Sequence, residues 1–246
     1  MLASSVVAER LVESCGLSSE SRVLEIGTGH GMLTEKIATR SKFVESFEID
    51  PELYKEIRSS LETFGNVKLI CGDAFSYDFS GQKFDVCVTS LPYSQSLRFI
   101  RWLALRSDLF GKSVAIVQSE FADKLASPPG MRSFRAVSVI AQINFDIECL
   151  FDVGKEEFVP QPLVESRAIK LVPRNNDIQP FFNEKRLRIL DFVFSFRGRK
   201  LSSAVKKLNP KGFEISIPNA ILSTRIEGIS PSEYKAIIPG LERQLK

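Results

Sequence analysis

Residues 22–31 read RVLEIGTGHG and join a short apolar run to a turn that contains three glycines. An amphipathic segment, residues 33–39, follows at once. A strand, a glycine-rich turn and a helix in this order are typical of the first unit of a parallel sheet that binds a nucleotide-like ligand, because glycines let the backbone approach the ligand closely. The stretch therefore predicts an α/β fold with a binding site at the end of its first strand.

The same alternation of short apolar runs and amphipathic stretches continues to residue 171. The predicted strands are residues 22–26, 43–49, 67–71, 84–89, 113–118, 145–151 and 166–171. The predicted helices are residues 33–39, 51–64, 95–106, 119–125 and 134–142. This pattern indicates a largely parallel sheet with crossover helices, in which the carboxyl ends of successive strands share one edge.

A polar, turn-rich segment, PRNND at residues 173–177, predicts a domain boundary. We therefore expect a first domain over residues 1–173 and a second over residues 174–246. Beyond the boundary the periodicity is helical, and the predicted helices are residues 178–194, 200–208, 219–222 and 231–238. The sequence thus predicts a Rossmann-like sheet domain followed by a small all-helical C-terminal domain.

Composition places the chain among ordinary folded proteins, with 43% apolar and 26% charged residues. The sequence shows neither a basic and apolar leader nor a run of about 18 apolar residues, so we expect a cytoplasmic protein that does not contact a membrane. The four cysteines show no paired spacing and His30 is the single histidine. No metal site is therefore expected.

Charge is distributed unevenly along the chain. Residues 171–246 contain 14 Lys and Arg against seven Asp and Glu, a net charge of +7, while residues 1–170 carry −4. A basic C-terminal part beside a mildly acidic body indicates a polyanionic partner such as RNA. The alternative is that these residues form an ordinary solvated helical surface.

The glycine turn itself narrows the class of ligand. A dinucleotide fingerprint would place its third glycine at position 32, where this chain has Met32, so the turn disfavours NAD. The arrangement fits instead the methyltransferase loop that curls around the amino-acid part of S-adenosylmethionine, with Glu25 near enough to orient it. The residues assigned to this loop are Glu25, Gly27, Thr28, Gly29 and Gly31.

Acidic residues end the next two predicted strands. Glu48, followed by Ile49, stands about twenty residues past the glycine turn and can accept hydrogen bonds from both ribose hydroxyls of a nucleoside cofactor. Asp73, followed by Ala74, can accept a hydrogen bond from the adenine amino group of that cofactor. A single acidic residue at the end of a strand more often has no binding role. A glycine turn, a ribose acceptor and an adenine acceptor at three successive strand ends are more specific, and they predict an S-adenosylmethionine site that includes Glu48, Ile49, Asp73 and Ala74.

The fourth predicted strand ends in Ser90, Leu91, Pro92 and Tyr93. Enzymes that methylate amino groups carry Asp, Asn or Ser here, then one residue, then Pro and an aromatic residue. An adenine amino nitrogen is a poor nucleophile, so hydrogen-bond acceptors aimed at its protons favour the reaction and stabilise the positive charge that develops. We assign this role to the Ser90 hydroxyl and the Leu91 carbonyl, and Tyr93 offers a ring on which an unstacked base can lie.

With these motifs the chain resembles the KsgA-type rRNA adenine N6,N6-dimethyltransferase family, relatives of the Erm methylases, and its spacing is closer to archaeal members. The likeness covers nearly the whole chain. It includes the segments VQSEFADKLA at 117–126, PG at 129–130, VSV at 137–139, FVPQPLVES at 158–166, residues 194–205, RIE at 225–227 and SP at 230–231.

The resemblance implies a class I methyltransferase sheet with a small helical C-terminal domain. It implies transfer of four methyl groups from S-adenosyl-L-methionine to two adjacent adenosines in the 3′-terminal hairpin of small-subunit rRNA, with a role in ribosome biogenesis. The expected partner is this rRNA or a small-subunit precursor, and the chain is expected to be monomeric. Tyr93 and Phe158 would sandwich the target base, and Arg197, Arg199 and Lys200 would contact RNA phosphates.

The chain departs from the family pattern at three places. Ser90 and Ser94 stand where the family usually has Asn, and Leu163 stands where it often has Lys. The family's N-terminal Gly, Gln, Phe, Leu segment, which helps to close over the cofactor, has no counterpart in this sequence. Two alternatives therefore stay open: an Erm-type methylase of large-subunit rRNA, and a ribosome-assembly or transcription factor on the same fold with weak or no catalysis.

Overall fold

A seven-stranded sheet in the order β3-β2-β1-β4-β5-β7-β6 organises this computed structural model, which describes residues 1–174, 180–208 and 217–244. Its strands are β1 (Arg22–Ile26), β2 (Phe43–Glu48), β3 (Val67–Cys71), β4 (Phe84–Thr89), β5 (Phe110–Gln118), β6 (Phe145–Val153) and β7 (Ser166–Pro173). The helices of the described residues are α1 (Ser5–Ser14), α2 (Met32–Ala38), α3 (Pro51–Leu61), α4 (Ser96–Leu105), α5 (Ser119–Ala126), α6 (Ala136–Asn144), α7 (Glu184–Ser195), α8 (Leu201–Leu208), α9 (Asn219–Ser223) and α10 (Pro231–Gln244).

Strands β3, β2, β1, β4 and β5 pair in parallel, and β7 runs antiparallel to both β5 and β6. The carboxyl ends of the five parallel strands therefore meet at one edge. The order of strands reverses beside β1, whose neighbours are β2 and β4. Ligands of open α/β sheets bind at such a switch point, so the topology places a binding crevice at the end of β1.

Apolar side chains alternate between the two faces of the sheet and bury both of them. Val23 packs with α1 and α2 on one face. The next residue, Leu24, belongs to a second cluster that includes α4 and α6 on the other face. Burial on both faces explains why the central strands read as nearly continuous apolar runs.

The helices beyond residue 180 extend the second cluster. Leu190 of α7 and Tyr234 of α10 are buried in it together with residues of α6. The Phe194 ring lies 6.1 Å from that of Phe134 and 5.7 Å from that of Tyr234, measured between centroids. A helical C-terminal region is thus present and shares its apolar core with the helices of the sheet. Residues 175–177 of the predicted domain boundary lie outside the described residues.

Strands β1, β3 and β4 have the bounds predicted from sequence, whereas several helices differ. Helix α1 was not predicted; the Ser4 hydroxyl caps it by accepting from the Val7 amide. Helix α7 begins six residues later than predicted, because the Asn183 side chain caps it by accepting from the Arg186 amide. Helix α10 continues past Ile238 and through Pro239. None of the described helices is long and apolar enough to cross a membrane.

Candidate active site

The glycine turn after β1 adopts a backbone conformation that side chains disfavour. Gly27, Gly29 and Gly31 have φ angles of +85°, +59° and +83°. The Gly27 and Thr28 amides both donate to the Phe47 carbonyl of β2, at 2.9 and 3.1 Å. The left-handed angles let the chain fold back over the end of the sheet while these amides stay hydrogen-bonded.

This turn touches the residues that follow β4. A Cβ atom built on Gly27 would lie 3.1 Å from the Leu91 side chain. The Thr89 hydroxyl donates to the Ile26 carbonyl at 2.6 Å. The predicted cofactor loop and the predicted catalytic turn are therefore in contact, and a side chain at position 27 would have to displace that of Leu91.

The Glu48 carboxylate lies beside the glycine turn and can accept further hydrogen bonds. Its buried carboxylate accepts from the Gly29 amide through Oε2 and from the Asp50 amide through Oε1, both at 2.9 Å. A carboxylate offers about four lone pairs, so two further donors can be accepted. The adjoining Ile49 side chain is 66% exposed and offers an apolar face to a ligand.

Asp73 already has donors bound to both oxygens. Oδ1 accepts from the Phe75 amide at 2.9 Å, and Oδ2 accepts from the Arg98 guanidinium at 2.6 Å and from the Ser76 hydroxyl at 3.2 Å. Partial burial favours the neutral carboxyl, but the Arg98 and Phe75 hydrogen bonds hold the pKa of Asp73 below its ordinary value. A cofactor amino group that bound Asp73 would share its carboxylate with Arg98. The next residue, Ala74, which was also predicted to contact the cofactor, is buried.

Glu25 lies beneath the glycine turn and has no exposed surface. Its Oε2 accepts from the Thr34 and Ser46 hydroxyls, each at 2.6 Å, and the Thr28 hydroxyl lies 2.6 Å from that of Ser46. Its Oε1 has no partner among the described residues. Burial raises the pKa of Glu25 from its ordinary value of 4.5 to about 7, although the two hydroxyls favour the charged form. The observed contacts brace the turn, while the predicted contact of Glu25 with a cofactor stays a prediction.

Leu91, which contacts Gly27, also lines a cavity of about 240 Å³. It is lined by Met1, Leu2, Ser90, Leu91, Pro92, Tyr93, Ile116, Phe158, Pro160 and Pro162. The structure thus brings together all the predicted catalytic residues, including Phe158, which lies far from the others in sequence. The walls are mostly apolar, and Ser90 and Tyr93 are the lining residues whose side chains carry a hydroxyl.

The Tyr93 and Phe158 rings meet edge to face, with centroids 6.5 Å apart and planes 70° apart. The Tyr93 hydroxyl is hydrogen-bonded to the Ser166 hydroxyl, and Phe158 is only 8% exposed. A base held between two parallel faces requires one of these rings to turn. The sandwich implied by the resemblance therefore stays a prediction, although both rings border the same cavity.

Met1 and Leu2, to which the sequence assigned no role, line this cavity, and residues 1–3 pair with residues 157–159. Leu2 forms an antiparallel bridge with Phe158, the Ala3 amide donates to the Glu157 carbonyl at 2.8 Å, and the Val159 amide donates to the Met1 carbonyl at 2.9 Å. A Cβ atom on Gly29 would also lie 3.5 Å from the Met1 sulfur. Because the pairing is between distant segments, no local pattern could have indicated it.

The predicted RNA contacts Arg197, Arg199 and Lys200 lie in the turn between α7 and α8 and do not line the cavity. Arg199 and Lys200 are exposed. The Arg197 guanidinium instead donates to the carbonyls of Met131 and Arg132, at 3.4 and 3.0 Å. The turn is thereby held against the loop that follows α5.

Replacing Gly27 by Ala should weaken S-adenosylmethionine binding. Alanine at a left-handed φ costs about 1–2 kcal/mol, and the new methyl group would also displace Leu91. Gly81→Ala is a matched control, since Gly81 has a φ of +76° and no atom within 4 Å of the added Cβ. Calorimetric titration should show lost affinity for Gly27→Ala alone, although both variants melt earlier. Equal affinities in the two variants would contradict the close-contact account.

Glu25→Gln should remove a pH dependence of stability. The raised folded-state pKa means that the contribution of Glu25 is fully present below pH 4.5 and is lost as pH rises through about 7. The free energy of unfolding should thus fall by about 3 kcal/mol more in wild type than in the variant between pH 4.5 and 8. Urea titrations across this range test the effect, with the exposed Glu35→Gln as control. Parallel pH profiles for wild type and Glu25→Gln would contradict it.

Comparisons with known proteins show the family to which this chain belongs. The family model described as ribosomal RNA adenine dimethylase matches residues 1–238. The chain is 33% identical over 236 residues to the probable ribosomal RNA small subunit methyltransferase A of Methanosarcina acetivorans, covering 93% of this chain and 86% of that protein. It is also 33% identical to the ribosomal RNA small subunit methyltransferase A of Caldanaerobacter subterraneus, covering 90% of this chain and 84% of that protein.

Two solved structures share the fold. A dimethyladenosine transferase from Plasmodium falciparum matches with a TM-score of 0.77 at 23% identity, over 95% of this chain and 94% of that chain. The 23S rRNA methyltransferase ErmE matches with a TM-score of 0.68 at 21% identity, over 98% and 99%. These likenesses confirm the predicted class I methyltransferase fold, and the family match confirms the resemblance. The chain belongs to the ribosomal RNA adenine dimethylase family.

Proposed function

We propose that this protein transfers methyl groups from S-adenosyl-L-methionine to the N6 amino groups of two adjacent adenosines in the 3′-terminal hairpin of small-subunit rRNA, as a step of ribosome biogenesis. The observation that carries the proposal is the cavity lined by Ser90, Leu91 and Tyr93 directly beside the glycine turn. Family membership and the names of the relatives support the same reaction and substrate.

The residues around the glycine turn fit S-adenosylmethionine. Gly27 and Gly31 have left-handed φ angles, and a Cβ on them would lie 3.1 Å from the Leu91 side chain and 3.4 Å from that of Leu61, so the turn leaves its backbone bare of side chains. Glu48 can accept from two ribose hydroxyls, and the exposed Ile49 can pack against the adenine. When bound, this cofactor supplies a methyl group on a sulfonium, which is already activated for transfer. Thr28 and Glu25 then hold the turn from beneath.

Ser90 and Leu91 perform the part of the reaction that the protein must supply. The Ser90 Oγ and the Leu91 carbonyl accept hydrogen bonds from the two N–H groups of the adenine amino group and draw its nitrogen toward tetrahedral geometry. As the nitrogen attacks the methyl carbon, the same acceptors stabilise its developing positive charge. After transfer the nitrogen would lose one proton to solvent, and the methyl donor would leave as a neutral thioether. Positioning and charge stabilisation suffice, so no dedicated general base is required.

The walls of the cavity strengthen these interactions. Leu2, Ile116 and Pro160 line the same cavity as Ser90 and Leu91 and contribute apolar surface to it. Hydrogen bonds to a developing charge are worth more where water is excluded. The target adenine must leave its helix to reach this hollow, because a stacked amino group is inaccessible. Tyr93 and Phe158 provide the aromatic surface that receives the extruded base.

Transfer of tritium from labelled S-adenosylmethionine tests the proposal. Undermethylated small subunits and matching large subunits are incubated with the protein in separate reactions, and the labelled adenosines are mapped by mass spectrometry. Label at two adjacent adenosines of the 3′-terminal hairpin supports the proposal. Label only in large subunits would assign the chain to the Erm-type activity, and no label in either would leave a factor without catalysis; both results reject the proposal.

Ser90→Ala should slow methyl transfer about 100-fold at saturating cofactor, since it removes one acceptor aimed at the reacting nitrogen. Binding of S-adenosylmethionine should change little. Ser94→Ala is the matched control: Ser94 is exposed four residues along and lines a neighbouring groove rather than the cavity. Single-turnover rates and calorimetric affinities separate the two effects. If Ser90→Ala lost cofactor affinity and rate to the same degree, Ser90 would be a structural residue instead.

A further inference from the structure

The Arg98 side chain connects α4 to the residues that follow β3. Its guanidinium donates to Asp73 Oδ2 at 2.6 Å, and its Cζ lies 4.6 Å from the centroid of the Phe75 ring. Phe75 also supplies the amide that donates to Asp73 Oδ1 at 2.9 Å. One arginine thus binds one oxygen of the carboxylate and packs on the residue that binds the other oxygen.

The hydrogen bonds to Asp73 leave one acceptor position on its carboxylate. A carboxylate offers about four lone pairs. Three of them are used by the Phe75 amide, the Arg98 guanidinium and the Ser76 hydroxyl, which lies 3.2 Å from Oδ2. Among the described residues Oδ1 accepts a single hydrogen bond, so the free position lies on this oxygen. The Asp73 side chain is 27% exposed, so a ligand can reach it.

Arg98 also compensates the negative charge of Asp73. Partial burial alone would raise the pKa of this carboxyl, but the hydrogen bond and the charge of Arg98, together with the Phe75 amide, hold the pKa below its ordinary value. Within the described part of the chain, Arg98 is the charged group that acts on this carboxylate. A charged acceptor forms a stronger hydrogen bond than a neutral one. A carboxylate that is already paired also costs less to cover with a ligand.

The local fold is held by contacts other than those of Arg98. The Phe75 ring packs against the rings of Trp102 and Phe99 on α4, with centroids 5.7 and 6.4 Å apart. Asp73 caps the short helical turn Ala74–Ser76 through the Phe75 amide. The Arg98 side chain is 47% exposed, and ion pairs as exposed as this contribute little to stability. Variants at position 98 are therefore expected to fold.

We propose that Arg98 is a positioning residue for cofactor binding, which orients the Asp73 carboxylate so that Oδ1 accepts a hydrogen bond from the 6-amino group of the cofactor's adenine. The inference rests on the proposed function, which places S-adenosylmethionine beside the ends of β1, β2 and β3. Asp73 contacts the purine, and Arg98 acts through Asp73. An ionised carboxylate cannot donate, so this arrangement selects a purine that carries a hydrogen-bond donor at C6.

Affinities for two ligands test this role. S-adenosylhomocysteine is compared by calorimetric titration with its analogue that carries hydrogen in place of the purine 6-amino group. A hydrogen bond to a charged acceptor contributes roughly 10-fold or more in affinity, so wild type should prefer S-adenosylhomocysteine by about that factor. Arg98→Met keeps most of the aliphatic stem and should lose most of this preference, while its affinity for the analogue stays unchanged.

Arg101→Met is the matched control for Arg98→Met. Arg101 lies one turn along α4 and donates to Asp191 at 2.6 Å, so this variant removes the same charge and an ion pair from the same helix. It should keep the wild-type preference between the two ligands. Asp73→Ala should abolish the preference, and Arg98→Met should have no further effect in that background, because both changes remove the same interaction.

An undiminished preference in Arg98→Met would overturn the proposal, as would a wild type that binds both ligands equally well. An equal loss of affinity for both ligands in Arg98→Met would show that Arg98 is only structural. A further loss of preference on adding Arg98→Met to Asp73→Ala would make Arg98 a direct contact and overturn its positioning role. Methyl transfer by the wild type is measured separately, so a failure of the proposed function is distinguished from a failure confined to Arg98.

Discussion

The backbone at the end of β1 must reverse direction without leaving its amides unpaired, and the site depends on how this is achieved. Gly27 and Thr28 donate to one carbonyl of β2, while the Ile26 carbonyl accepts from Thr89 of β4. These bonds fix the glycine turn against both neighbouring strands. Because Gly27 also lies against Leu91, the predicted cofactor loop and the predicted catalytic turn are held in place by the same few contacts.

Much of this arrangement could be predicted from local sequence. Strands β1, β3 and β4 are short apolar runs bounded by polar turns, so periodicity located them to the residue. Parallel pairing then required their carboxyl ends to meet, which is why Glu48, Asp73 and Ser90 could be selected as candidates before their positions were known. The family match confirms the class of protein that those candidates indicated.

The rest depends on long-range contacts that leave no local pattern. The sequence could place Asp73 at a strand end, but not show that Arg98 already occupies its carboxylate. It could place Glu25 near the glycine turn, but not beneath it. The position of Met1 and Leu2 at the cavity arises from pairing with residues 157–159, which are far away in the sequence. Such roles follow from tertiary packing, so only the folded chain reveals them.

We expect the crevice at the end of β1 to align a methyl donor with the cavity beside it. A crystal structure with bound S-adenosylhomocysteine would show this alignment. The ribose hydroxyls should lie within hydrogen-bond distance of Glu48, and the sulfur atom should face the cavity lined by Ser90 and Tyr93. A sulfur directed away from that cavity, or a ligand bound at another edge of the sheet, would contradict this alignment.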